Sequence, residues 1–387
     1  MPPDLIQAMH ERAAPALTSG QGAAGAELSI VVPTFKEKDN VGELVKRLEV
    51  TLQGVAWEVI FVDDDSPDGT ADTVRALAAT NPRVRCVQRI DRRGLSSACV
   101  EGMLSSSAPY VAVMDADLQH DEGILPAMLA SLKQEDLDIV VGSRYVDGGG
   151  LGQWDESRAA ISRFATRLSH MVVPPELKDP MSGFFMLRRE VLHQCVRRLS
   201  ALGFKILVDF FASSEQPLRF KELPYTFRNR IAGESKLDNQ VAWDYGMLLL
   251  DKMIGHIVPA RFVAFALIGG FGVLVHMAVL TALYKGGWLS FASGQASATT
   301  VAMVFNFAFN NIITYRDQQL KGLAWLRGLI SFMLVCSVGA IANVGVANYL
   351  FDRDGGWVAS ALAGIVLGAV WNYAVTSVYT WGKGKKT

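Results

Sequence analysis

The sequence predicts a doubly wound α/β domain with a mainly parallel sheet, followed by an all-α domain of four transmembrane helices. Three observations carry this. Short apolar runs alternate with amphipathic segments between Leu28 and Arg144, charged residues crowd the first 261 positions, and four long windows without any charge follow. The two parts therefore prefer different solvents.

Within the first part, LSIVVP, WEVIFVDD, VRCVQ, YVAVMDAD and DIVVGSR read as strands. The segments between them, NVGELVKRLEVTL, TADTVRALAAT, LSSACVEGMLSS and GILPAMLASLKQ, space their apolar residues as helices do. Apolar strands separated by helices build βαβ units, in which a parallel sheet is covered on both faces. This domain is expected over 28–239. Residues 1–27 lack the basic start and apolar core of a secretory signal and read as a flexible tail.

The charge-free windows are Phe262–Tyr284, Trp288–Tyr315, Gly328–Phe351 and Gly355–Gly382. Each exceeds the roughly 20 residues that cross a bilayer core as a helix. Helices are expected at about 262–284, 290–315, 328–351 and 356–381, in a domain of residues 261–387. Residues 240–260, which keep Asp244, Asp251 and Lys252, are too charged to span and read as an interfacial linker.

Basic residues set the orientation. Lys252 and Arg261 precede the first window, Arg316, Lys321 and Arg327 lie between the second and third, and Lys383, Lys385 and Lys386 follow the fourth. The other two connections carry only Lys285 and Arg353, so both termini and the α/β domain are expected in the cytosol of a plasma- or inner-membrane protein.

The membrane part repeats itself. LIGGFGVLVHMAV from Leu267 returns as LVCSVGAIANVGV from Leu334, and VFNFAFNNIITY from Val304 as VWNYAVTSVYTW from Val370. Two related hairpins result, with Asn306 and Asn372 equivalent. Asn306, Asn310, Asn311, Asn343 and Asn372 cannot face lipid cheaply. Interhelical hydrogen bonds, worth about 0.6–2 kcal/mol each, are the simplest use for them.

A net charge of −1 removes any electrostatic footprint for nucleic acid. Cys86, Cys99, Cys195 and Cys336 have no spacing that suggests zinc or a disulfide framework.

In a doubly wound sheet, ligands bind beyond the carboxyl ends of the strands. Those ends here carry Pro33, Phe35 and Glu37, then Asp63 to Asp65, then Asp115, Ala116 and Asp117, then Arg144. No GxGxxG follows the first strand, which argues against a dinucleotide site. Asp115, Asp117 and Gln119 alternate along one edge and are few, hard oxygen donors, a set that suits Mg²⁺ or Mn²⁺ shared with substrate phosphates. Helix capping by Asp117 or a solvated turn is the alternative. Arg144, Lys205, Arg228, Arg230 and Lys236 supply cations for an anionic substrate. The helix of ESRAAISRFATRLSHMV presents Arg158, Ser162 and Arg163 beside apolar residues, as either an interfacial or an ordinary surface helix.

The motifs VVPTFKEKDNV, VDDDSPDGTADT, RRGLSSA, MDADLQHDE, GSRYVDGG, DPMSGFFMLRRE and FRNRIAGESKL, in this order, resemble the polyprenyl- and dolichol-phosphate mannose synthase group of family 2 glycosyltransferases, which have the GT-A fold. The region that follows resembles the GtrA-like four-helix membrane domain.

The resemblance implies nucleotide-sugar contacts at Pro33, Phe35, Glu37, Val62, Asp64, Asp115, Ala116, Asp117, Arg144, Lys205, Arg228 and Lys236. It implies metal on Asp115, Asp117 and Gln119, catalytic roles for Asp115, Asp117 and Arg144, and acceptor-phosphate contacts from Arg158 and Ser162. Phe35 and Lys36 stand where the family commonly has Tyr and Asn, which puts hydrogen bonds from those side chains in doubt.

The implied reaction moves mannose, with inversion, from GDP-mannose to a polyprenyl monophosphate, dolichyl or undecaprenyl, held in the membrane. UDP-glucose or another UDP-sugar is the alternative donor. A processive polysaccharide synthase is disfavoured because no QxxRW sequence occurs. A lipid-linked sugar translocator would require the metal and phosphate residues to have degenerated. A homo-oligomer formed through the transmembrane domain is compatible with the sequence.

Overall fold

The structure is a computed structural model that describes residues 25–152, 156–200, 203–228, 239–255, 257–353 and 356–382. The first 24 residues, the side chain of Arg158, and Arg230 and Lys236 lie outside the described residues. The chain divides into two compact units, Met1–Met253 and Ile254–Thr387.

The first unit begins with three β–α pairs: β1 (Leu28–Thr34), α1 (Lys38–Thr51), β2 (Trp57–Asp63), α2 (Thr70–Ala78), β3 (Val84–Gln88) and α3 (Leu95–Ser105). There follow β4 (Tyr110–Val113), α4 (Leu125–Gln134), β5 (Ile139–Ser143), α5 (Glu156–Ser169), β6 (Phe185–Arg188), α6 (Arg189–Cys195), α7 (Ile206–Ser213), β7 (Phe220–Pro224) and α8 (Asn239–Ile254). The seven strands lie in the order β3-β2-β1-β4-β6-β5-β7. All neighbours are parallel except β6, which runs against both β4 and β5.

Alternation along the strands fills two cores. Leu28, Ile30 and Val32 of β1, with Val59 and Phe61 of β2, pack into one helical layer. Val31, Ile60 and Val62 pack into the other, so both faces of the sheet are dry. A Cβ on Gly102 would come within 2.5 Å of Val31 and 2.7 Å of Val62, so a glycine is what lets α3 lie this close.

Helix α8 packs against the core of this unit. Tyr245, Leu248 and Leu249 are buried in its core. Lys252 is enclosed too, with Nζ 2.6 Å from Asp209 Oδ1 and donating to Ser213 Oγ and the Arg198 carbonyl. A buried lysine is tolerated only when its charge and donors are met in this way.

The second unit holds α9 (Ala260–Lys285), α10 (Phe291–Phe309), α11 (Leu323–Phe351) and α12 (Trp357–Tyr379). All four helices contain a segment long and apolar enough to cross a membrane. Helix α10 ends in a π-turn, Asn310–Thr314.

The internal repeat is visible as contacts between equivalent residues. Tyr315 and Trp381 stack with ring centroids 4.1 Å apart, and Phe265 meets Phe332 at 6.5 Å. Phe265 also packs edge-on to Tyr373, while their counterparts Phe332 and Phe307 pack together, both at 5.7 Å. The hairpins are thus arranged about a pseudo-two-fold axis.

Asn310 bonds within its own helix, to the Asn306 carbonyl and the Thr314 hydroxyl, and three others show two further uses. Asn311 accepts from Trp381 Nε1 at 3.1 Å and donates to the Leu320 carbonyl, which ties helix ends together as expected. The Oδ1 atoms of Asn306 and Asn372 are buried without a hydrogen-bond partner. Each amide instead fills the space a side chain would need at Gly272 or Gly339, so close packing has displaced hydrogen bonding.

Candidate active site

Parallel strands deliver their carboxyl ends to one edge of the sheet. Thr34, Asp63, Val113, Ser143 and Pro224 end β1, β2, β4, β5 and β7 there. Because β6 is reversed, the same edge receives the segment that precedes it, which contains Asp179, Met181, Gly183 and Phe184.

The chain leaves β4 into a tight loop that mounts the carboxylates. Leu118 takes a left-handed backbone, φ +62°, and the Gln119 N–H donates to Asp117 Oδ1 at 3.2 Å. Gln119 then bonds twice to the end of β7: its Nε2 donates to the Arg228 carbonyl at 3.0 Å, and its carbonyl accepts from the Arg228 N–H at 2.9 Å. Asp117 and Gln119 are buried, whereas the Asp115 side chain is 36% exposed.

His120 closes the loop. Its Nδ1 accepts from the Asp115 N–H at 3.0 Å, and its ring stacks on Phe184 with Tyr225 and Phe227 edge-on. Burial lowers its pKa to about 4, so the ring is neutral near pH 7.

Three cations are held near this loop. Arg144 makes a bidentate pair with Asp179, which holds its pKa above the ordinary value despite burial. Lys205 donates to the Met181 carbonyl at 3.1 Å, and burial, reinforced by Arg144, lowers its pKa to about 8. Arg228 pairs with Asp121 at 2.6 Å and Glu122 at 2.7 Å.

The donor set fits a hard divalent cation. Two carboxylates and an amide come from one loop, while Arg144 and Arg228 have carboxylates of their own in Asp179, Asp121 and Glu122. Among the described residues no group of three His, Cys, Asp or Glu forms an all-protein cage. A metal that keeps several ligands for phosphate and water is bound by few protein groups.

On the β1–β2 side, the Phe35 ring lies beneath the Arg93 guanidinium, 4.2 Å from its centroid. The Glu37 N–H donates to Thr70 Oγ1, and its carboxylate accepts from Asn40 Nδ2. Asp64 Oδ2 accepts from the Gly94 N–H at 2.7 Å, and burial raises its pKa. Pro33 is half-buried at the end of β1, and Ala116 is buried inside the carboxylate loop.

Val62 is the exception. It is fully buried under Gly102, and its side chain does not reach this edge. Ser162 on α5 stands 2.9 Å from the Tyr145 hydroxyl, beyond the end of β5.

Sequence reasoning gave no role to His120, Asp179 or Arg93. Asp179 carried a signal, since it opens the DPMSG motif, but only the reversal of β6 explains its place at this edge.

Family models match both parts of the chain. The glycosyl transferase family 2 model matches residues 29–196, and the GtrA/DPMS transmembrane domain model matches residues 264–381. A dolichol-phosphate mannosyltransferase of Pyrococcus furiosus is 34% identical over 359 residues, 92% of this chain and 99% of that protein. The Saccharomyces cerevisiae dolichol-phosphate mannosyltransferase is 37% identical over 228 residues, 57% of this chain and 84% of that one. Among solved structures, glucosyl-3-phosphoglycerate synthase from Mycobacterium tuberculosis aligns with a TM-score of 0.45 at 16% identity, covering 60% of this chain and 80% of that one. With both domains matched in order and one relative aligned along nearly its whole length, the chain belongs to the membrane-bound dolichol-phosphate mannosyltransferases of glycosyltransferase family 2.

Proposed function

We propose that the chain transfers mannose from GDP-mannose to a polyprenyl monophosphate, dolichyl or undecaprenyl, at the cytosolic face of a membrane, with inversion at the anomeric carbon. The observation that carries this reading is the meeting of Asp115, Asp117 and Gln119 with Arg144, Lys205 and Arg228 at one sheet edge. Membership of the family supports the sugar and the acceptor class.

A phosphate monoester is anionic at neutral pH, so the attacking oxygen needs no general base. The barrier lies in departure of the nucleoside diphosphate. Mg²⁺ or Mn²⁺ held by Asp115, Asp117 and Gln119 would supply Lewis-acid stabilisation of the charge that grows there. Lys205 adds a cation from the start of α7, and Arg144, immobilised and charge-balanced by Asp179, adds a fixed dipole that needs no reorganisation during the reaction.

Phe35, Glu37 and Asp64 hold the nucleoside, with the Phe35 ring packing against it. Arg158 and Ser162 hold the acceptor phosphate, which turns an encounter within the membrane plane into an aligned approach. Arg261, Arg316, Lys321 and Arg327 support a cytosolic site by the positive-inside rule. Lys252 drops out of that tally, because its charge is spent on Asp209.

The test is a donor screen with purified full-length protein, polyprenyl phosphate and Mg²⁺ or Mn²⁺. GDP-mannose is the expected substrate; turnover with UDP-glucose alone would reassign the donor. Asp117→Ala abolishes turnover and metal dependence, and near-normal activity in that variant would remove the proposed site.

A further inference from the structure

We propose that His120 is the positioning residue of the carboxylate loop, holding Asp115 through a hydrogen bond to its main chain and a longer electrostatic contact with its carboxylate. The inference rests on the reading of Asp115 and Asp117 as the metal and donor end of the site.

The loop cannot hold itself rigid. Leu118 sits at φ +62° between the two functional residues Asp117 and Gln119, a conformation that costs a branched residue about 1 kcal/mol or more. The bonds of Gln119 to β7 fix one end of the loop. The other end carries Asp115, the more exposed carboxylate, whose backbone N–H donates to His120.

Its geometry is two-sided. Nδ1 accepts the Asp115 N–H at 3.0 Å, which in a neutral ring leaves the proton on Nε2. Nε2 stands 3.8 Å from Asp115 Oδ2, too far for a hydrogen bond, so at this end the ring acts on the carboxylate electrostatically. One ring thus restrains the main chain and orients the side chain of the same residue.

The ring has no freedom of its own. It is 2% exposed and packed by Phe184, Tyr225 and Phe227 at centroid distances of 5.2, 5.8 and 5.7 Å. Gly183 lies along the ring edge that faces Asp115: a Cβ there would lie 3.3 Å from Asp115 Oδ2 and 3.5 Å from His120 Cε1. The ends of β6 and β7 therefore reach Asp115 through the imidazole. At 2% exposure His120 offers no surface to a substrate, so its effect is carried by Asp115.

Three substitutions in the full-length protein separate the two contacts. His120→Phe keeps the ring stack and removes both nitrogens. His120→Asn places an amide oxygen near Nδ1, and His120→Gln places an amide nitrogen near Nε2. The readouts are Mn²⁺ affinity by calorimetry without substrate, and kcat and KM with GDP-mannose.

His120→Phe is expected to weaken Mn²⁺ binding 10- to 100-fold, the range seen when a residue supporting a metal ligand is lost. It should lower kcat by a similar factor with KM within threefold, and His120→Asn should recover most of both. A folded His120→Phe with wild-type Mn²⁺ affinity and kcat overturns the proposal. If His120→Phe does not fold, His120→Asn outperforming His120→Gln supports it, and equal loss in those two overturns it. Activity retained by Asp117→Ala would instead overturn the reading of the site, while an inactive Asp117→Ala beside a normal His120→Phe overturns only the role of His120.

Discussion

Arg144 and Asp179 form an enclosed bidentate ion pair, with Nε 2.8 Å from Oδ2 and Nη2 2.7 Å from Oδ1. The Arg144 N–H also donates to Oδ2 at 3.0 Å, and Asp179 is itself fixed by its N–H to Glu222. The end of β5 is thereby locked to the segment that precedes β6. Asp179→Asn keeps the shape and removes the charge, which leaves a buried guanidinium uncompensated. Breaking such a pair costs about 3–5 kcal/mol, so denaturant unfolding should show a loss of that order. Turnover should fall even under conditions where the variant is folded.

The amine of Lys205 titrates in an accessible range. Its pKa is lowered from 10.5 to about 8, so it is charged below about pH 8 and loses its proton above. An attraction to the donor diphosphate is therefore present at pH 7 and fades as pH rises. KM for the sugar nucleotide is expected to climb about tenfold or more between pH 7 and 9.5, and Lys205→Arg should flatten that limb. The sign for stability is the reverse. The unfolded chain binds this proton more tightly, so the residue's contribution to stability increases as pH rises from about 8 to 10.5.

In the membrane unit, Gly272→Ala drives a Cβ into the Asn306 amide, and Gly339→Ala does the same to Asn372. Each single substitution should lower the melting temperature in detergent by several degrees, because overpacking costs about 1–3 kcal/mol. Gly272→Ala combined with Asn306→Ala should restore much of the loss. Strict additivity in the double variant would show that the two residues do not bear on each other.

The first five strands and the edge that carries the chemistry were legible in the sequence. Apolar runs ending in Asp63 and Asp115 announce both a buried strand and the side on which it opens. The reversal of β6 was not legible. Its four residues, FMLR, carry no direction, and pairing is a property of the neighbours.

The burial of Lys252 on helix α8 was not legible for a related reason. Charge in an apolar segment argues against burial unless a partner is known, and Asp209, 43 residues before Lys252, cannot be identified from spacing. Lys36 shows how a sequence departure acquires a second meaning. It sits at φ +59°, a conformation that Asn adopts more cheaply, so the departure from the family bears on the backbone as well as on hydrogen bonding. His120 was invisible because its role lies in three rings contributed by the residues that flank β6 and β7.

The stack of Tyr315 on Trp381 and the contact of Phe265 with Phe332 join positions that the repeat makes equivalent. Such contacts are isologous, the kind two copies of one subunit make across a dimer axis. In a true homodimer every substitution at that axis is made twice, so neither side can specialise. Covalent linkage removes the constraint. Tyrosine already faces tryptophan here, and the position that holds Asn343 beside Gly364 in the second hairpin holds His276 beside Gln295 in the first. One half of the membrane unit is free to acquire a task while the other conserves the scaffold.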